Sequence, residues 1–101
     1  MEQQLFGEVT IKVPHEELDV KLVYYILETG NEKTGTPVYG VMVDELDPEG
    51  GKILESEKAE RVTTFRRKIE SIIYDLLIGT VFPVHLKEVT EYLMEEQYLT
   101  G

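Results

Sequence analysis

The first hydrophobic pattern in the chain repeats every two residues, which is typical of a strand with one buried face. Apolar and polar side chains alternate over residues 5–13, with Val9 and Ile11 on the apolar side. Pro14 has no backbone N–H group and cannot donate a hydrogen bond to a neighbouring strand. The pattern therefore predicts a first strand over residues 5–13.

The next two segments are apolar on both alternating sides, which is typical of strands whose two faces are both covered. Residues 20–28 place the adjacent Tyr24 and Tyr25 on opposite sides, and residues 37–45 repeat this two-sided apolar pattern. They predict the second and third strands. Residues 52–60 predict a weaker fourth strand, because their many charges suit an exposed sheet edge.

The hydrophobic period then changes from two to 3.6 residues, which indicates an amphipathic helix. The apolar positions are Phe65, Ile69, Ile72, Ile73, Leu76 and Leu77. This spacing predicts a first helix over residues 64–78. Thr63 or Thr64 is expected to cap its start, and Gly79 is expected to end it.

A second helix is predicted over residues 83–97, because Pro83 suits the first position of a helix. Strands followed by helices indicate the α+β class. A chain of 101 residues has the length of a single domain. We therefore predict one α+β domain over residues 1–101, with a four-stranded antiparallel β-meander followed by two C-terminal α-helices packed on the sheet.

Four short motifs stand out along the chain. They are Val23-Tyr24-Tyr25-Ile26-Leu27, Val38-Tyr39-Gly40-Val41, Gly79-Thr80-Val81 and Pro83-Val84-His85-Leu86. Together they resemble a small bacterial family of uncharacterised proteins, over roughly residues 20–93. A threonine commonly precedes the proline in that family and would cap the second helix, whereas this chain has Phe82 there. The family has no established activity, so the resemblance implies a domain and no particular function.

The chain has 20 acidic and 10 basic side chains, for a formal net charge of −10. This charge opposes binding to nucleic acids and anionic membranes. A helix-turn-helix function is also disfavoured, because Lys87 stands among several glutamates on the second helix. The absence of Cys excludes disulfides, thiolate metal sites and cysteine nucleophiles. No apolar stretch approaches the ~20 residues of a membrane span, so we expect a cytoplasmic protein.

No motif predicts catalysis, a cofactor or a metal site. His15, Glu16 and Glu17 lack the second His that an HExxH zinc site needs. The acidic segment 44–50 lacks the alternating oxygen ligands of a calcium loop. We interpret both as turns and expect a non-catalytic protein. A pair of catalytic carboxylates has no spacing signature and stays an open alternative.

Arg66, Arg67 and Lys68 form a basic triplet in the first turn of a predicted helix, where each positive charge opposes the helix dipole by about 0.3–1 kcal/mol. One interpretation is local pairing, of Arg66 with Glu70 and of Arg67 or Lys68 with acids of the fourth strand. The alternative is an anion-binding or small-molecule site that also includes His85. That alternative would make the protein a ligand-binding domain or an enzyme.

Two helices can cover one face of a four-stranded sheet and leave the other face exposed. Tyr24 or Tyr25, with Tyr39 or Met42 beside it, would then form an apolar, Tyr-rich patch of the kind that marks protein interfaces. The alternative is one helix on each face, which leaves no such patch. We therefore predict a protein-interaction or regulatory module that binds a protein partner or forms a homodimer through this patch.

Overall fold

The computed structural model describes residues 2–12, 19–30 and 33–99, and for residues 96–99 it describes the backbone alone. The elements in chain order are β1 (Glu2–Lys12), β2 (Asp19–Gly30), β3 (Pro37–Leu46), β4 (Ile53–Thr63), α1 (Arg66–Ile78), a 3₁₀ turn (Pro83–His85) and α2 (Leu86–Leu99). The strands form one antiparallel sheet in the order β1-β2-β3-β4. This architecture confirms the predicted α+β fold.

The strands are longer than the hydrophobic pattern predicts, because polar residues at their ends still pair across the sheet. β1 begins at Glu2, which pairs with Glu28, and β2 continues to Gly30. Val13 and Pro14, at the predicted end of the first strand, lie outside the described residues. Hydrophobic periodicity therefore locates the buried part of each strand but not its full length.

α1 begins at Arg66, and the predicted threonine caps are wrong. The hydroxyl oxygen of Thr63 accepts a hydrogen bond from the N–H of Phe65 at 3.2 Å, which forms a turn before the helix. Phe65 then occupies the N-cap position with an extended backbone and no side-chain cap. Since no side chain in the described ranges caps this end, packing of its apolar face against the sheet stabilises the helix.

Cross-strand pairing divides the sheet into two faces. Tyr24 lies opposite Val43 and Ile26 lies opposite Val41, so these four side chains share one face. They join one buried cluster with apolar residues of both helices, so both helices pack on this side, which we call the helix face. The cluster comprises Leu22, Tyr24, Ile26, Tyr39, Val41, Val43, Ile69, Ile72, Ile73, Leu76 and Leu86. Full burial of one such side chain contributes about 1.5–3 kcal/mol, so this cluster is the main source of stability.

The end of α1 is a Schellman motif with a threonine in its left-handed position. The N–H of Val81 donates to the Leu76 carbonyl at 3.0 Å, and the N–H of Thr80 donates to the Leu77 carbonyl at 3.1 Å. Thr80 has a φ of 50°, whereas Gly79 has a φ of −77°. Gly79 therefore ends the helix as predicted, but the strained conformation falls on the β-branched residue after it.

β4 contains a bulge where it passes Gly40. Tyr39 pairs with Thr63, and Val41 pairs with Ala59. Between these two pairs β4 advances by four residues, whereas β3 advances by two. A Cβ atom on residue 40 would lie 2.4 Å from the carbonyl oxygen of Ala59. Only glycine therefore allows β3 to pass this close to the bulge.

The two helices cover the sheet unequally. α1 contacts all four strands, the 3₁₀ turn contacts β3 and β4, and α2 lies beside β4. α2 therefore forms one wall of a groove whose other wall is β4. Within the described ranges, none of the helices is long and apolar enough to cross a membrane.

Candidate functional site

The structure places the two adjacent tyrosines of β2 in different environments. Tyr24 is fully buried on the helix face, and its hydroxyl donates a hydrogen bond to the carbonyl oxygen of Val81 at 3.0 Å. Tyr39 is 8 % exposed, and the guanidinium of Arg66 lies over its ring at 5.7 Å from the centroid. Both tyrosines belong to the core. Of the predicted interface residues, Tyr25 and Met42 lie on the other face.

Tyr25 and Met42 lie directly opposite each other on the side of the sheet that we call the second face. Leu5 of β1 pairs with Tyr25, and Lys58 of β4 pairs with Met42, so four side chains form one row across the sheet. Leu5 is 63 % exposed. Because both described helices pack on the helix face, this largely apolar row faces away from them.

Charged and polar groups surround the row. Glu8 pairs with Lys21 at 3.1 Å, and the carboxylate of Asp44 accepts a hydrogen bond from the Ser56 hydroxyl. Burial raises the pKa of Tyr25, the charges of Asp44 and Glu8 raise it further, and Lys21 opposes them. The Tyr25 hydroxyl therefore stays neutral at physiological pH and can donate a hydrogen bond to an approaching partner.

The basic triplet is divided among separate local contacts. Arg66 pairs with Glu70 at 3.2 Å, as the four-residue spacing predicts, and donates a hydrogen bond to the Gln4 side chain at 3.0 Å. The ammonium of Lys68 lies over the Phe65 ring, 5.6 Å from its centroid. These contacts offset the unfavourable position of the cations at the helix start.

The structure does not bring His85 together with the basic triplet. Arg67 is exposed in the first turn of α1, whereas His85 is exposed in the 3₁₀ turn that follows the other end of α1. A helix of 13 residues is about 20 Å long. The other sequence candidate with a histidine, formed by His15, Glu16 and Glu17, lies outside the described residues.

The acidic segment 44–50 forms the end of β3 and the turn after it. The carboxylate of Asp47 accepts a hydrogen bond from the N–H of Glu49 at 3.0 Å, which is the geometry of an Asx turn. In the part of the chain that the structure describes, no group of three His, Asp or Glu side chains is placed to hold a metal ion.

Sequence reasoning missed the groove between β4 and α2. The groove has a volume of about 640 Å³, and its lining includes Ala59 and Val62 from β4 and Thr90 and Met94 from α2. Thr90 is 4 % exposed, and its hydroxyl has no hydrogen-bond partner among the described residues. One signal was available, since Thr90 is a polar residue one helical turn after the buried Leu86.

The fold and its surfaces define a small α+β domain, in which two C-terminal helices cover one face of an antiparallel sheet and an apolar row lies on the other. No curated protein and no solved structure matches the chain. A family model matches residues 5–96, and the chain belongs to that family, the family of unknown function DUF6514. This match confirms the resemblance to a family of uncharacterised proteins.

Proposed function

We propose that the protein is a cytoplasmic, non-catalytic interaction module that forms a homodimer through its second face. The observation that supports this proposal is the row of Leu5, Tyr25 and Met42, which faces away from both helices. Removing apolar surface from water is favourable, and Tyr and Met are enriched at protein interfaces.

Charge complementarity favours a second copy of the chain as the partner. Glu8 lies on the β1 side of the second face, and Lys58 lies on the β4 side. A two-fold axis parallel to the strands places β1 of one protomer over β4 of its partner. Lys58 then lies over the partner's Leu5, and the partner's Glu8 is its diagonal neighbour one row along the strands, while Tyr25 meets the partner's Met42 at the centre. Within its own protomer Glu8 pairs with Lys21 and Lys58 pairs with Glu60, so these pairs compete with the contact across the interface.

The size of the second face indicates a weak dimer. Strands about 4.8 Å apart and about ten residues long give four strands a face on the order of 600 Å². Val23 and Leu27 on this face are already buried within the protomer, so the area left for a partner is smaller. A stable interface of standard size buries about 800 Å² on each partner. We therefore expect a dissociation constant in the micromolar range.

Light scattering after gel filtration, from micromolar to near-millimolar protein, tests the dimer. The wild-type mass should rise from 11.6 kDa towards twice that value. Tyr25→Lys should hold the mass at the monomer value, because it places a charge in the apolar row. The fold should tolerate this lysine, since the negative charges of Glu8 and Asp44 already act on position 25.

The matched control is Tyr74→Lys, because Tyr74 is 56 % exposed on α1, away from the second face. This variant should dimerise as the wild type does. A wild-type mass that stays at the monomer value over the whole concentration range overturns the homodimer, and so does an equal response of the two lysine variants.

Charge reversal tests the direction of the two-fold axis. Glu8→Lys alone or Lys58→Glu alone should weaken the dimer, because each makes diagonal neighbours across the interface carry like charges. The double variant should restore dimerisation, since the reversed pair is attractive again. If the double variant loses as much dimer stability as the two single variants lose together, the result contradicts this axis.

A further inference from the structure

The buried hydroxyl of Thr90 distinguishes the groove between β4 and α2 from an ordinary surface depression. A buried hydroxyl without a partner destabilises a protein relative to a valine of the same shape. Threonine is also a weaker helix former than most residues. Thr90 lines the groove, but its hydroxyl oxygen is closed off from solvent, so a ligand can supply the missing hydrogen bond only after the side chain rotates towards the groove.

The opposite wall of the groove contains a strained residue. Arg61 lies in the β4 bulge, lines the groove and has a φ of 55°. A left-handed conformation is unfavourable for a residue with a Cβ atom, and such strain is concentrated at binding sites. Each wall therefore carries a residue that lowers stability, Arg61 through its backbone conformation and Thr90 through its unpaired hydroxyl.

The charges of the lining leave an excess of acid on the α2 wall. Two ion pairs, at 3.7 Å and 3.2 Å, neutralise both lysines of the lining. Glu91 and Glu95 on α2 are one helical turn apart and form no ion pair with the described residues. Arg61, on the β4 wall, is the third cation of the lining beside the two paired lysines. Cationic groups of a ligand are therefore attracted towards α2.

We propose that this groove binds a basic segment of another protein that carries at least one large apolar side chain. Ala59, Val62 and Met94 provide apolar contacts, Glu91 and Glu95 attract lysine or arginine side chains, and Thr90 bonds to a polar group of the segment. β4 is an edge of the described sheet, so its backbone can also pair with an extended chain. The volume of about 640 Å³ lies within the ~300–1,000 Å³ range of ligand sites.

Selection of short random peptides by phage display on the full chain provides the probe. The selected peptides should be enriched in Lys and Arg and should share a large apolar residue. Labelled copies should bind the wild type in fluorescence anisotropy, and more weakly at high salt, since screening reduces attraction between charges. Selected peptides without a basic excess overturn the proposal.

Charge reversal locates the binding site of the selected peptides. Glu91→Lys combined with Glu95→Lys should weaken binding by about tenfold. The control combines Glu88→Lys with Glu49→Lys, which changes the charge equally at exposed residues outside the groove lining. Equal weakening by both double variants means that the net charge alone attracts the peptides, and it overturns the groove as the site.

Variants of Thr90 test the hydrogen bond. Thr90→Val should raise the thermal midpoint of the free protein by about 2–5 °C and weaken peptide binding by about fivefold, while Thr90→Ser should keep the wild-type affinity. An unchanged affinity in Thr90→Val contradicts the role of the hydroxyl. Spermidine carries positive charge without a large apolar group, so binding of spermidine as tight as that of the peptides overturns the proposed ligand class.

Discussion

The hydroxyl of Tyr24 donates a hydrogen bond to the carbonyl oxygen of Val81 at 3.0 Å, across 57 positions of the chain. Tyr24 lies in β2, and Val81 follows the end of α1. The N–H of Val81 donates to Leu76 in the Schellman motif. Val81 thus ends α1 through its N–H and accepts a hydrogen bond from the sheet through its carbonyl. These two bonds fix the position of the segment that connects α1 to α2.

Tyr24→Phe removes this hydrogen bond and keeps the aromatic ring. We expect the free energy of unfolding to fall by about 1–2 kcal/mol, because the Val81 carbonyl loses its partner in a partly buried place. Urea denaturation measures the change. Tyr74→Phe is the control, since Tyr74 is 56 % exposed, and its effect should stay within about 0.5 kcal/mol. Equal effects would contradict the structural role of the bond.

The same tyrosine predicts a loss of stability at alkaline pH. Burial raises the pKa of Tyr24 from 10.0 to about 12. Below pH 10 both the folded and the unfolded chain keep the proton. Between pH 10 and about 12 the unfolded chain loses it and the folded chain retains it, so stability falls by up to about 1.4 kcal/mol per pH unit.

Urea midpoints measured at several values from pH 8 upward test this slope. Tyr24→Phe should show a shallower decrease than the wild type above pH 10. Other groups that titrate in this range are present in both proteins, so the difference between the slopes reports on Tyr24. Identical slopes would show that the Tyr24 hydroxyl has the same pKa in the folded and unfolded states, which contradicts this prediction.

Thr80→Gly should stabilise the protein by about 1 kcal/mol, because glycine adopts a φ of 50° without the Cβ clash. Thr80→Ala is the control. It also removes the hydrogen bond from the Thr80 hydroxyl to the Gly79 carbonyl, 2.7 Å long, but it keeps a Cβ atom. The glycine variant should therefore have the higher thermal midpoint of the two. An alanine variant at least as stable as the glycine variant would contradict strain at this position.

Gly40→Ala should destabilise the protein by about 3 kcal/mol, because the new Cβ meets the Ala59 carbonyl oxygen at 2.4 Å and backbone must move. Gly7→Ala is the comparison, since its Cβ would lie 2.6 Å from Cδ1 of Leu77, the end of a flexible side chain. That variant should cost about 1 kcal/mol. Urea denaturation of both proteins gives the order, and a larger cost at Gly7 would contradict the packing of β3 on the bulge.

Most elements of the fold could be predicted because their signals are local. A period of two residues identifies the buried part of β1, and a period of 3.6 residues identifies the apolar face of α1. The start of α1 was missed because Thr63 bonds to the N–H of Phe65, two residues on, and forms a turn. A threonine can make either the turn or the cap with the same hydroxyl, so its identity alone does not decide between them.

The candidate sites depended on long-range packing. The pairing of Arg66 with Glu70 follows from spacing within one helix, whereas the contact of Arg66 with Gln4 joins residues 62 positions apart. The groove could not be predicted from the sequence, because its walls, β4 and α2, are separated in the chain by all of α1. Thr90 gave the only local signal, as a polar residue on an otherwise apolar stripe.

By itself, the sequence determined the number, type and order of the strands and helices and the two-sided apolar character of β2, since periodicity and turn chemistry act between near neighbours. Tertiary structure alone decided that both helices lie on one face and that Tyr24 is buried there while Tyr25 lies on the other face. It also left Thr90, beside β4, without a hydrogen-bond partner among the described residues. The physical reason is that alternation makes the two tyrosines equivalent, and only the side on which the helices pack makes them different.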